Sequence, residues 1–238
     1  DGLFLKEILA DAGADVSCLR VMDTESGCAF IEVNSKGQNR IIVSAGTNRM
    51  YTEEYIKNVL EKAEAGDFVL LQNEINMVGE IIRLSHEKGC RVVFNASPIP
   101  GKPEELPLDL VDIFMVNELE AAALAGTSRE GDFRDILKAL QKKYPKAAIV
   151  MTLGKEGVFY GYKEEFYSHP IFKVNAVDTT AAGDTFCGYF LAALCAEKSV
   201  ETALREASAA SAMAVSAKGA APSIPVHSAV EEWLCGRS

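Results

Sequence analysis

The chain has 238 residues, 48% of them hydrophobic and 24% charged, enough to bury one large core in a single α/β domain. A formal charge of −10 argues against nucleic-acid and anionic-membrane partners, because such surfaces need clustered Lys and Arg. Six cysteines (Cys18, Cys28, Cys90, Cys187, Cys195, Cys235) are dispersed without a C-x-x-C pair and only three histidines occur, a pattern that fits a reducing cytoplasm and neither a disulfide framework nor a zinc site.

The opening DGLFLKEILADAG has the spacing of an amphipathic helix rather than a signal peptide, and no segment reaches the roughly 18 apolar residues of a membrane span. GCAFIEVNSKGQNRIIVSA (27–45) reads as two alternating strands around Asn34-Ser35-Lys36-Gly37, an antiparallel hairpin. FVLLQ (68–72), RVVFN (91–95), IFMV (113–116) and AAIVM (147–151) are continuous apolar runs, the pattern of strands covered on both faces. Stretches 76–88, 117–125 and 132–143 have helical spacing. The alternation predicts a doubly wound, mostly parallel α/β sheet with helices on both faces, from which 27–45 is a small excursion. No repeat, low-complexity tract or linker cuts the chain, so 1–238 is expected to form one domain.

Each expected strand ends in polar chemistry: Gln72-Asn73-Glu74, Asn95, Asn117 with Glu120, Thr152-Leu153-Gly154, and Asp178. Ligands of doubly wound sheets bind beyond the carboxyl ends of the strands. One polar loop is ordinary, but five together mark a site. VDTTAAGDTFCGYF (177–190) is the most informative stretch and reads as a strand-to-helix junction. Phe186, Tyr189, Phe190, Ala193 and Leu194 recur at helical spacing, so Ala181-Ala182-Gly183 feeds a helix N-terminus. Unpaired amides there favour an anion, and methyl-sized side chains let a phosphate approach the backbone. Asp184 beside them can take the proton of a hydroxyl that attacks phosphorus. On spacing alone an ordinary helix cap fits equally well.

DTTAAGDTFCGYF closely resembles a signature of the ribokinase-like (PfkB) carbohydrate kinase family. GQNRIIVSAGTN (37–48), LLQNEI (70–75), VVFNASP (92–98), VNELEA (116–121), TLGKEGV (152–158) and KGAAPSIP (218–225) follow in the family's order, so the resemblance runs through the chain. It implies ATP-dependent phosphoryl transfer to a hydroxyl of a small sugar, ribose first, with fructose, 2-keto-3-deoxygluconate or a nucleoside as alternatives. Asp184 would be the base, and the amides of Ala181, Ala182 and Gly183 the anion hole. Asn117 and Glu120 match N-x-x-E, which helps place Mg²⁺-bound phosphates. Thr152, Gly154 and Gly157 match the nucleotide loop, Ser208 lies toward the adenine, and Glu74 aligns with a sugar-contacting carboxylate. By spacing alone Gly154 to Gly157 is a hairpin turn as readily, and no G-x-x-x-x-G-K-[ST] P-loop is present.

The resemblance also implies a K⁺ or other monovalent cation, held mostly by backbone carbonyls at Asp178, Thr180, Ala214, Ala217, Gly219 and Ser223. The hairpin 27–45 would be a lid through which the chain forms a homodimer. The family's first strand region, with a sugar-gripping Asp and a Gly-Gly segment, has no counterpart here, since DGLFLKEIL corresponds to the helix that follows it. A chain of these residues alone is therefore expected to phosphorylate sugar poorly. A non-catalytic nucleotide-binding or assembly protein of the same fold is the other class left open.

Overall fold

The computed structural model describes residues 2–33, 39–128 and 132–237. The turn read at Asn34-Ser35-Lys36-Gly37 lies outside the described residues. In chain order the elements are α1 (Gly2–Asp11), β1 (Cys28–Val33), β2 (Asn39–Ser44), α2 (Glu53–Leu60), β3 (Phe68–Gln72), α3 (Val78–Glu87), β4 (Arg91–Asn95) and β5 (Ile113–Asn117). There follow α4 (Glu118–Ala125), α5 (Phe133–Lys143), β6 (Ala148–Thr152), β7 (Val158–Tyr162), β8 (Glu165–His169), α6 (Ala182–Cys195), α7 (Val200–Val215) and α8 (His227–Cys235). The chain divides into two compact units, Asp1–Val93 with Pro100–Val111, and Phe94–Ile99 with Asp112–Ser238.

In the first unit β1 and β2 form a separate antiparallel sheet, Cys28 opposite Ser44 and Phe30 opposite Ile42. Phe30, Ile42 and Val43 are more than half exposed. The first helix forms as its spacing predicts, yet it buries no residue, and Leu3, Phe4 and Leu9 stand exposed. Thr52 caps α2 by accepting from the Tyr55 amide at 3.2 Å, and Ile56 and Leu60, four residues apart, turn inward. The third helix buries Val78, Ile81 and Ile82. The strand β3 neighbours the start of β4, where Val92 and Val93 are wholly buried.

In the second unit the end of β4 is followed across the sheet by β5, β6, β7 and β8. The central pair, β5 and β6, is parallel and almost wholly buried, as continuous apolar strands require. The far edge is antiparallel, β6 with β7 and β7 with β8. That edge hairpin does not announce itself in the sequence. Its connection is Lys163-Glu164, with Lys163 at φ 53°, and lacks the Asn-Gly or Asp-Gly that marks tight hairpins.

One local expectation is corrected. No strand precedes Asp178: residues 170–181 form neither helix nor strand. The amides of Val177 and Asp178 both donate to the Val215 carbonyl, at 2.7 and 3.2 Å, so this segment is fastened to the end of α7 instead of a neighbouring strand. The helices α6 and α7 pack on each other through buried Phe186, Phe190 and Ala193 on one and Ala203, Ala207, Ala210 and Ala214 on the other. Spacing of three to four methyl-sized residues lets the two helices approach closely. Phe190 is fully buried and stacks on Phe186 at 6.1 Å. Phe190→Ala is expected to lower stability by about 3–5 kcal/mol in urea unfolding, with an unchanged fold by circular dichroism.

Candidate active site

The second unit gathers most of the expected site residues on strand ends and helix starts. The parallel register sets Asn117 opposite Thr152 at the carboxyl ends of β5 and β6. Asn117 is also the N-cap of α4. Its Oδ1 accepts from the Leu119 and Glu120 amides, both at 2.9 Å, while Glu120 Oε2 accepts from the Asn117 amide at 2.8 Å. The N-x-x-E pair is thus a reciprocal capping box. Glu120 is 8% exposed and also bonds to Ser97, from the segment after β4. Burial raises its carboxyl above the usual range, against the bonds from Asn117 and Ser97 that favour the charged form.

Gly154 and Gly157 bracket a short 3₁₀ turn between β6 and β7, closed by the Leu153 amide donating to the Gly157 carbonyl at 2.8 Å. Gly157 has φ 98°, and a Cβ there would lie 2.2 Å from the His169 carbonyl oxygen. Only glycine fits.

The start of α6 is unusual. Its N-cap, Ala181, sits in the left-handed region (φ 58°, ψ 12°), and no side chain caps this end. The first-turn amides of a helix have no intrahelical acceptor, and the helix dipole is positive at this end. The Ala182 amide makes only a long bond to Thr179, at 3.3 Å. Gly183 and Asp184 are exposed in this first turn. One turn on, Cys187 is buried and its thiol is pushed up to about 12, chiefly by burial, with the Asp184 and Glu120 carboxylates adding to the shift. Asn95 Nδ2 donates to Cys187 Sγ at 3.4 Å, while Asn95 Oδ1 and Thr185 Oγ1 are buried without a partner among the described residues. Asp184, Glu120, Cys187, Asn95 and Ser97 therefore form one neighbourhood. Ser97 was not singled out in the sequence, where a serine before proline reads as loop.

Asp178 organises the segment before α6. Its Oδ1 accepts from the Thr180 amide (3.0 Å) and hydroxyl (2.7 Å), and its Oδ2 from the Gly219 amide (3.0 Å). Those bonds hold its carboxyl down at about 2, against an ordinary 3.8. Beside it, the Ala214 carbonyl accepts from the Ala217 amide at 3.1 Å, and the Ser223 hydroxyl donates to the Ala220 carbonyl at 2.8 Å. The expected cation-loop residues thus fall into three hydrogen-bonded groups: Asp178 with Thr180 and Gly219, Ala214 with Ala217, and Ser223 with Ala220. Ser208 is half-buried on α7, and Ser211, one turn later, donates to the Ala182 carbonyl at 3.0 Å. Ser211 has no distinctive sequence signal in its Ala/Ser stripe. Glu74 is exposed and belongs to the first unit. Among the described residues no group of three or more His, Cys, Asp and Glu is placed to hold a metal.

Because Asp178 is depressed, its contribution to stability is fully present above about pH 3.8 and is lost as pH falls through about 2. Asp178→Asn is therefore expected to be less stable than the parent at pH 5, with the gap narrowing by pH 2.5. Urea unfolding at the two pH values measures it, and a gap that is independent of pH would contradict the assignment.

Residues 1–227 match the pfkB family carbohydrate kinase model. A ribokinase of Haemophilus influenzae is 34% identical over an alignment that covers 98% of this chain and 77% of that protein. The crystal structure of a Cryptococcus neoformans ribokinase in complex with ADP matches at TM-score 0.84 and 28% identity, over 98% of this chain and 79% of that one. An Arabidopsis thaliana ribokinase complexed with ribose and ATP matches at TM-score 0.76 and 30% identity, over 96% and 77%.

Proposed function

The chain belongs to the pfkB family of carbohydrate kinases and is a sugar kinase; from that premise we propose that it transfers the γ-phosphoryl group of ATP to a hydroxyl of ribose, with Asp184 as general base. The observation that carries this reading is an exposed carboxylate on the first turn of α6, at a helix start whose N-cap, Ala181, has no capping side chain. The resemblance to a ribokinase complexed with ribose and ATP supports the choice of substrates.

Phosphoryl transfer asks little covalent chemistry of a protein; it asks for positioning and for charge where the transition state gains it. The uncapped turn Ala181-Ala182-Gly183 would present its amides to the transferring group, and Asp184 would take up the hydroxyl proton as its oxygen attacks phosphorus. Thr152, Gly154 and Gly157 would shape the nucleotide loop, Ser208 would border the adenine, and Glu74 would contact the sugar. A protein-only magnesium cage is missing among the described residues, which fits Mg²⁺, an ion that keeps its waters and rides on phosphates. Asn117 and Glu120 would hold it in place, and when bound it would neutralise phosphate charge. The carbonyl-rich assembly around Asp178, Thr180, Ala214, Ala217, Gly219 and Ser223 suits a monovalent cation such as K⁺. No disulfide joins the cysteines among the described residues, and no helix among them is long and apolar enough to cross a membrane; the proposed location is the cytoplasm.

Asp184→Asn is expected to lower ribose-dependent ADP formation by ~10²–10⁴-fold while the affinity for Mg·ATP, measured by calorimetry, changes less than about threefold. Equal turnover in parent and variant would remove Asp184 from the role of base. Nucleotide binding without sugar-dependent turnover in the parent would favour a non-catalytic protein of this fold.

The exposed hairpin face at the cross-strand pair Phe30 and Ile42 is the proposed surface of a homodimer. Light scattering is expected to give a dimer mass for the parent and a monomer mass for Phe30→Glu; a monomeric parent at high concentration would rule the dimer out.

A further inference from the structure

Away from the residues discussed so far, the second unit contains a hollow of about 250 Å³ between α5 and the β7–β8 hairpin. The helix supplies Arg134, Leu137 and Lys138; the hairpin supplies Phe159, Phe166 and Tyr167. It shares no residue with the assembly of Asp178, the α6 entry or the Asn117–Glu120 cap.

Its chemistry is two-sided. The walls are apolar and largely aromatic, and Phe166 remains 55% exposed, which is a high exposure for a phenylalanine on a strand. The rim is cationic in a chain whose net charge is −10. Lys138 has no ion-pair partner among the described residues, and Arg134 makes an exposed 3.7 Å ion pair with Asp132, too long for a hydrogen bond. Arg134 also lies over the Phe133 ring, 5.2 Å from its centre, and Phe133 in turn packs on Phe159. The guanidinium is therefore steadied beside the aromatic wall.

Arg134 and Lys138, both in the lining, are donors only; neither accepts. What the hollow lacks is a flat apolar body that carries an anionic acceptor.

Size narrows the class. A cavity of about 150 Å³ holds benzene, so a hollow of this volume takes one ring and a charged substituent, not a nucleotide. We propose that the hollow between α5 and the β7–β8 hairpin is a second ligand site, for a single-ring aromatic anion such as an aryl carboxylate or aryl phosphate. The ring lies against Phe159 and Phe166, and the anion meets Arg134 and Lys138. The site does not depend on the kinase reading.

Calorimetry with phenyl phosphate and with benzoate on the full chain tests it. Saturable 1:1 binding with a Kd below about 1 mM is expected for at least one probe, persisting under saturating Mg·ATP. Arg134→Gln and Lys138→Gln should each weaken it several-fold, and the double variant should abolish it. Phenol and inorganic phosphate, each offering half of the chemistry, should bind at least ~10-fold more weakly. Both positions are exposed, so the variants are expected to keep the parent's unfolding midpoint. No saturation by either probe up to ~10 mM, full competition by Mg·ATP, or equal binding by the double variant would overturn the proposal.

Discussion

The uncapped start of α6 is the constraint around which the second unit is arranged. Its N-cap, Ala181, offers no capping side chain and is held in a left-handed conformation that a residue with a Cβ adopts at a cost of roughly 1 kcal/mol or more. Neighbouring segments hold that geometry in place. Asp178 draws the approach to the helix together through Thr180 and Gly219, the Val215 carbonyl takes both amides at 177–178, and Ser211 fastens the Ala182 carbonyl from the adjoining helix. Strain of this kind persists where the surroundings over-determine it, and in the proposed kinase reading this turn is the one that would meet the transferring phosphoryl group.

Glu120 and Asp184 have opposite environments. Glu120 is buried in its own capping box and raised, so its charged form is costly and is stabilised by the Asn117 amide and Ser97. Asp184 is exposed on the first turn. In the kinase reading this division suits the work, one group fixed as part of the frame and the other accessible to an incoming hydroxyl. Cys187 lies between them with a thiol that burial keeps protonated, which makes it a packing residue rather than a nucleophile.

Much of this was legible beforehand, and the places where it was not share a cause. Continuous apolar runs gave β3, β4, β5 and β6 to within about a residue, because a strand covered on both faces has no polar side to confuse the pattern. The β7–β8 hairpin passed unread because its turn, Lys163-Glu164, lacks turn chemistry and its outer strand is largely exposed. The segment before Asp178 was expected to be a strand. Its amides are instead claimed by a carbonyl 38 residues away, a partner that no local pattern can indicate.

The sequence by itself determined the fold class, a helix start within Ala181-Ala182-Gly183 and the polar ends of β3, β4, β5 and β6, because hydrophobic period and small-residue runs are local properties of the chain. Tertiary structure alone decided that Asn117 and Glu120 close a cap on each other, that Asn95 and Ser97 reach Cys187 and Glu120, that Asp178 spends both oxygens on its own loop, and that α5 and an unforeseen hairpin enclose a cationic hollow. The reason is range: burial and hydrogen-bond partners are settled by residues tens of positions apart, and their consequences for charge follow only once those partners meet.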